Sequence, residues 1–173
     1  DERLARTELH FLRELLRREL SDVRNFISQL RPPLLEAAGL NGAIEEAAEQ
    51  FSALTGIRVE QRLEAPPDHL SDAEQTVVLR VVQEALQNVR KHAGARAVSI
   101  TTTATASNWA VEVRDDGRGF DTEAVAARGR RNFGLQFMRE RTELIGAQLD
   151  IRSRPGAGTI VRLTISMGGE HDR

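Results

Sequence analysis

The chain has 173 residues, 40% hydrophobic and 29% charged, an ordinary balance for a soluble globular protein able to bury a substantial core. A formal net charge of −2 argues against a general nucleic-acid-binding surface, and the lack of cysteine excludes disulfide scaffolds, thiolate metal sites and cysteine nucleophiles. No apolar run approaches the roughly 20 residues of a membrane-spanning helix, no signal peptide is visible, and the four histidines lack metal-ligand spacing such as His-Glu-x-x-His. The expectation is a cytoplasmic chain that makes no membrane contact of its own, with any anchor of the parent protein lying in other segments.

From Arg3 to Leu30 there is neither Gly nor Pro, which predicts one long helix ended by Arg31-Pro32-Pro33. Leu9, Leu16, Val23 and Leu30 recur at seven-residue steps, a seam that calls for a partner helix. Residues 1–32 therefore read as a helical arm, 33–167 as a globular domain and 168–173 as a disordered tail. In the domain, Asn41 is an N-cap candidate for an amphipathic helix through Ala43, Ile44, Ala47, Ala48 and Phe51. Ile57, Val59 and Leu63 follow as an alternating strand. Ser71 and Glu74 form a capping box that starts a helix running to Ala93.

That helix has two faces. Val78, Val82, Ala85 and Val89, flanked by Val77, Val81 and Leu86, make an apolar stripe, whereas Glu84, Asn88 and His92 follow one another at steps of four beside Gln87 and Lys91. Ala97 to Thr103 and Trp109 to Arg114 read as strands. If Trp109, Val111 and Val113 face the core, Asp115 continues on their face and Asp116 points away. A carboxylate aimed into an apolar layer is costly unless a donor meets it, and Gly117 and Gly119 beyond it leave room for the backbone to approach a flat ligand. An adenine amino group is a candidate donor; the plainer alternative is an Asx turn with glycines supplying positive φ. The stretch from Phe120 to Asn132 reads as a loop carrying Arg128, Arg130 and Arg131. Gly134 to Ile145 reads as a helix with Leu135, Met138 and Leu144 inward, and two last strands, Gln148 to Ser153 and Thr159 to Ser166, are joined by Pro155-Gly156-Ala157-Gly158. The sum is an α+β fold, a two-layer sandwich with a mixed, largely antiparallel sheet and helices on one face, plus the N-terminal long helix.

Four segments stand in order: Gln83-Glu84-Ala85-Leu86-Gln87-Asn88-Val89-Arg90-Lys91-His92-Ala93, Asp115-Asp116-Gly117-Arg118-Gly119-Phe120, Asn132-Phe133-Gly134-Leu135, and Ser153-Arg154-Pro155-Gly156-Ala157-Gly158-Thr159. This pattern resembles the ATP-binding domain of sensor histidine kinases, in the subfamily paired with NarL/LuxR-type response regulators and sharing the fold of the gyrase and MutL ATPases. Residues 20 to 51 also resemble that subfamily, as the end of a second dimerisation helix and the approach to the catalytic domain.

The resemblance implies a Mg²⁺-ATP site. Asn88 matches the Mg²⁺ ligand, and Glu84 the acidic residue acting through water. Lys91 and His92 lie near the phosphates, Asp115 reads adenine, and Gly117 and Gly119 lie under the base. Gly134 and Leu135 meet phosphate, Thr159 bonds towards the adenine-side aspartate, and the loop from Asp121 to Asn132 is the lid. It implies as partners a response regulator, the dimerisation helix of the parent kinase and a second copy of the chain. Two positions depart from the pattern. Asn132 stands where many relatives have glycine, and Phe11 follows His10 where the phosphoacceptor box has an acid. His10 reads as a polar-face histidine, so the acceptor is expected outside this chain, which binds nucleotide without phosphorylating itself. Two other readings remain open: a non-catalytic helix-pairing module, and an ATPase of the gyrase and MutL type with Glu84 as the base for water.

Overall fold

A computed structural model describes residues 33–122 and 133–167. The heptad seam, His10, Arg128 to Asn132 and the tail lie outside the described residues. The elements are α1 (Pro33–Thr55), β1 (Arg58–Arg62), α2 (Asp72–Asn88), a π-helical turn (Val89–Ala93), β2 (Ala97–Ala104), β3 (Asn108–Asp115), α3 (Phe133–Leu144), β4 (Gln148–Ser153) and β5 (Thr159–Ser166). The strands form one sheet in the order β1-β2-β3-β5-β4. Only β1 and β2 run parallel among these pairs; the other three are antiparallel, which gives the mixed sheet expected from the sequence.

Period-two alternation decides which face is covered. Val98 and Ile100 on β2, Trp109, Val111 and Val113 on β3, and Val161, Leu163 and Ile165 on β5 are buried. Register aligns them in rows, Ile100 opposite Val113 and Val113 opposite Val161. From the helices, Ala43, Ile44, Ala48 and Phe51 of α1 and Val78, Val81, Val82 and Ala85 of α2 join the same core. Each fully buried aliphatic side chain contributes about 1.5–3 kcal/mol from area removed from water. The other sheet face carries polar pairs such as Arg162 with Glu112, 3.2 Å apart.

Three local expectations are corrected. Asn41 does not cap its helix: within α1 two helical segments meet across the non-helical Gly39 (φ 67°, ψ −177°), and at the start of the second the Asn41 Oδ1 accepts no hydrogen bond while its Nδ2 donates to the Glu64 carbonyl at 3.2 Å. The helix of the capping box ends its α-helical part at Asn88 and continues as the π turn. Leu144 points outward at 84% exposure. The buried stripe of α3 runs through Met138, Arg141 and Thr142, and Leu144, six residues from Met138, falls about 120° around the helix from it, off that stripe. The capping box itself is present, with Ser71 N–H donating to Glu74 Oε2 at 2.7 Å and Glu74 N–H to Ser71 Oγ at 3.3 Å.

Candidate functional site

The apolar face of α2 packs on the sheet, which turns Glu84 and Asn88, one helical turn apart, toward the opposite side, where both are half-buried. The first turn of α3 lies against them. A Cβ added at Gly134 would meet the end of the Glu84 carboxylate and stand 3.6 Å from Asn88 Nδ2, so these two side chains lie directly against the glycine. Glu84, Asn88 and Gly134 thus converge at the N-terminus of α3, where the helix dipole favours an anion.

Lys91 and His92 lie on the π turn and are exposed. The wider turn breaks the step of four that led from Glu84 to His92, so the regular row ends at Asn88. Insertion of a π turn keeps Val89 and Ala93 buried and lets Gly94 (φ 59°) close the helix. Ala93 then becomes part of the site through its backbone: its carbonyl accepts the Arg118 N–H at 2.8 Å. It also crowds Gly117, where a Cβ would lie 2.6 Å from that oxygen and 2.7 Å from Asp115 Oδ1.

Asp115 is the last residue of β3, on the same face as Val113, and is only 6% exposed. Its Oδ1 accepts the Gly117 N–H at 2.8 Å. Burial pushes the carboxyl above its ordinary range, and the neighbouring Asp116 charge adds to this. Hydrogen bonds from the Gly117 backbone and from the backbone and hydroxyl of Thr159 pull it back only in part. Asp116 faces the other way and does a different job. Its Oδ1 accepts the amides of Arg96 and Ala97 at 2.8 and 3.0 Å, which holds it below the usual range and ties the start of β2 to this loop.

Beyond Asp115 the loop closes on the β4–β5 hairpin. Gly119 (φ 58°) leaves no space for a side chain, because a Cβ there would collide with the Arg154 carbonyl and lie 2.8 Å from that of Gly158. Gly156 N–H donates to the Arg118 carbonyl at 2.6 Å. Gly158 (φ 72°) presses on the Asp115 carbonyl, again with no room for a Cβ. Asp115, Gly117, Gly119 and Thr159 therefore come together. Leu135 is half-buried, one residue beyond Gly134 on α3.

Sequence reasoning did not single out Ala93, Ser153, Gly158 or the clamp made by Asp116. The repeated Gly-x-Gly at 156–158 was the one signal that could have pointed to Gly158. Among the described residues there is no group of three or more His, Asp or Glu side chains that could hold a metal by themselves. One carboxylate and one amide, Glu84 and Asn88, suit a hard cation that takes its remaining ligands from phosphates and water. No helix among the described residues is long and apolar enough to cross a membrane.

Comparison with known proteins gives a consistent set of likenesses. Residues 73–169 match the family described as histidine kinase-, DNA gyrase B-, and HSP90-like ATPase. The chain is 33% identical over 167 residues to the signal transduction histidine-protein kinase/phosphatase DegS of Brevibacillus brevis, covering 96% of this chain and 42% of that protein. It is 33% identical over 159 residues to the sensor histidine kinase YhcY of Bacillus subtilis (strain 168), covering 92% of this chain and 40% of that one. It thus spans about two-fifths of the length of these curated relatives. The histidine kinase domain of a blue-light activated histidine kinase from Erythrobacter litoralis superposes with a TM-score of 0.63 at 23% identity, over 73% of this chain and 60% of that one, and so shares its fold.

Proposed function

This chain belongs to the histidine kinase-, DNA gyrase B- and HSP90-like ATPase family, as a catalytic portion of the sensor histidine kinase type, and we propose that it presents Mg²⁺-ATP to a histidine on a dimerisation helix. The observation that carries this reading is Asp115, a buried carboxylate at a strand end beside three positions, Gly117, Gly119 and Gly158, that admit no side chain. Such a carboxylate gains most from an amino group that arrives with its ligand, as the exocyclic amine of adenine does.

In this reading the base lies against Gly117 and Gly119 and the triphosphate runs toward the N-terminus of α3. Asn88, with Glu84 through water, would hold Mg²⁺, which when bound supplies neutralisation of phosphate charge. The chain's own residues hold the base, meet the phosphates with the α3 amides and with Lys91 and His92, and leave Glu84 beside the transferring end. Catalysis is then positioning plus electrostatics, with the nucleophile arriving from another segment. From that histidine the phosphoryl group passes to an aspartate of a response regulator. The heptad seam at Leu9, Leu16, Val23 and Leu30 is the surface that pairs with the dimerisation helix or a second copy, on the cytoplasmic side, where ATP is supplied.

Titration calorimetry is expected to show saturable binding of Mg²⁺-ATP by the chain. Incubation with radiolabelled ATP should leave it unlabelled until a histidine-bearing dimerisation domain is added. Absence of binding would remove the site. Label retained by the chain alone and lost in His10→Ala would place the acceptor here after all. Steady release of phosphate without any acceptor, abolished in Glu84→Ala, would favour a water-directed ATPase instead.

A further inference from the structure

The π turn that carries Lys91 and His92 leaves α2 at Asn88 and leads into β2 at Ala97, and the loop after β3 grips its exit at two points. On one side of Gly94-Ala95, the Ala93 carbonyl accepts the Arg118 N–H at 2.8 Å. On the other, Asp116 Oδ1 accepts the amides of Arg96 and Ala97 at 2.8 and 3.0 Å, and the Asp116 N–H returns to the Ala97 carbonyl at 3.3 Å. We propose that Asp116 is a positioning residue that fixes Lys91 and His92 within reach of the phosphates once a base is seated on Gly117, so that base and triphosphate strengthen each other's binding. The inference rests on the Mg²⁺-ATP reading given above.

Packing does not fix the bend itself. Gly94 is left-handed (φ 59°), and a Cβ built on it would meet nothing within 4 Å. The direction in which the chain leaves the π turn is therefore set by the burial of Ala93 and by the bonds on either side of Gly94-Ala95. The loop that makes those bonds is itself anchored. Gly119 lies hard against the Arg154 carbonyl, and Gly156 N–H donates to the Arg118 carbonyl at 2.6 Å, which ties the loop to the β4–β5 hairpin.

Gly117 stands between the two ends of the site. A Cβ there would lie 2.6 Å from the Ala93 carbonyl oxygen, 2.7 Å from Ala93 Cβ and 2.7 Å from Asp115 Oδ1, so the glycine is wedged between the π turn and the carboxylate. A base that bonds to Asp115 and lies on Gly117 bears on Ala93 through a contact without slack. Asp116 keeps the turn from yielding to it. With that carboxylate removed, the turn is free to swing about Gly94, while the base still has Asp115, Gly117 and Gly119. Asp116 points away from Asp115 and touches no ligand in this arrangement, so its effect falls on the coupling between base and phosphate binding.

The test compares the Kd of adenosine with that of Mg²⁺-ATP, by calorimetry on the full chain, in the wild type, Asp116→Ala and Asp116→Asn. The ratio of the two measures what the triphosphate adds to the base. Asp116→Ala is expected to weaken adenosine by less than about threefold and to cut the ratio about tenfold. Asp116→Asn keeps the Oδ1 acceptor without the charge and is expected to hold the ratio within about twofold of the wild type. Lys91→Ala should lower the ratio in the wild type and add little in Asp116→Ala, since both changes break one path. Equal weakening of adenosine and ATP in Asp116→Ala would overturn the proposal and reduce Asp116 to a tie for the loop. A ratio that falls as far in Asp116→Asn as in Asp116→Ala would assign the effect to charge and overturn it as well. Should the alanine variant not fold, hydrogen exchange in the wild type decides: adenosine is expected to slow the Arg96, Ala97 and Arg118 amides about fivefold, and unaltered rates would overturn the proposal. A wild type that binds neither ligand would remove the Mg²⁺-ATP reading and this proposal with it, an outcome distinct from a wild type that binds both and a variant with an unmoved ratio.

Discussion

At the end of the site proposed to take the base, Asp115, Gly117, Gly119 and Gly158 are fixed by strand register and by backbone against backbone, whereas at the end proposed for the phosphates Glu84, Asn88 and Gly134 meet through side chains projecting between two helices. The first arrangement has no soft degree of freedom: the atoms that would meet a side chain at Gly119 or Gly158 are the carbonyls of Arg154 and Asp115. In the second, the atom that would meet a side chain at Gly134 is the far end of Glu84, which can rotate away. Under the proposed function, a rigid base would meet a rigid surface, with the adjustable groups kept where charge and geometry change during transfer.

Substitution of one glycine at each end breaks or sharpens that contrast. Gly119→Ala requires a left-handed residue and pushes a methyl into backbone carbonyls, so we expect a loss of about 3 kcal/mol or more of stability, read by chemical denaturation. Asp115→Asn comes next. Losing a charge-assisted acceptor should weaken ATP about 100-fold by calorimetry, while leaving the melting temperature unchanged or raised. The sign of the stability effect follows from burial. Asp115 titrates above its unfolded value, so its contribution to stability is present below the unfolded pKa and lost as pH rises through the folded one. At neutral pH the charge is a net cost to folding, and removing it relieves that cost.

The same shift sets the pH profile. ATP affinity should fall as pH drops through a midpoint above the ordinary carboxylate range, by about tenfold per unit below it, and Asp115→Asn should flatten that limb. Gly134→Ala is the smallest structural change. Glu84 swings aside, stability falls by less than about 1 kcal/mol, and the loss appears in nucleotide binding or phosphoryl transfer. If Gly134→Ala unfolded the chain while Gly119→Ala did not, the contrast between the two ends would be inverted.

Sequence alone was enough for the parts of this site that depend on short-range periodicity. Parity along Trp109, Val111 and Val113 placed Asp115 inward and Asp116 outward, and the step of four placed Glu84 and Asn88 on one face. What it could not reveal depends on register and on departures from ideal helices. The π turn after Asn88 has no periodic signature, so Ala93 and its carbonyl were missed and His92 was read as part of a continuous row. Ser153 acquires its three partners only once β4, β5 and the Phe120 loop are brought together. Leu144 shows the limit of assigning inward positions by hydrophobicity alone, since Arg141 and Thr142 take the buried stripe and the Arg141 guanidinium stacks 4.0 Å from the Phe137 ring centre.

Amide chemical shifts recorded by NMR, with adenosine added first and Mg²⁺-ATP second, test the central claim most directly. The account predicts that adenosine moves the Gly117, Gly119 and Thr159 signals and leaves Gly134 and Leu135 in place, and that Mg²⁺-ATP then moves both groups. Shifts confined to other surfaces, with Gly117 and Gly119 unmoved by either ligand, would contradict it.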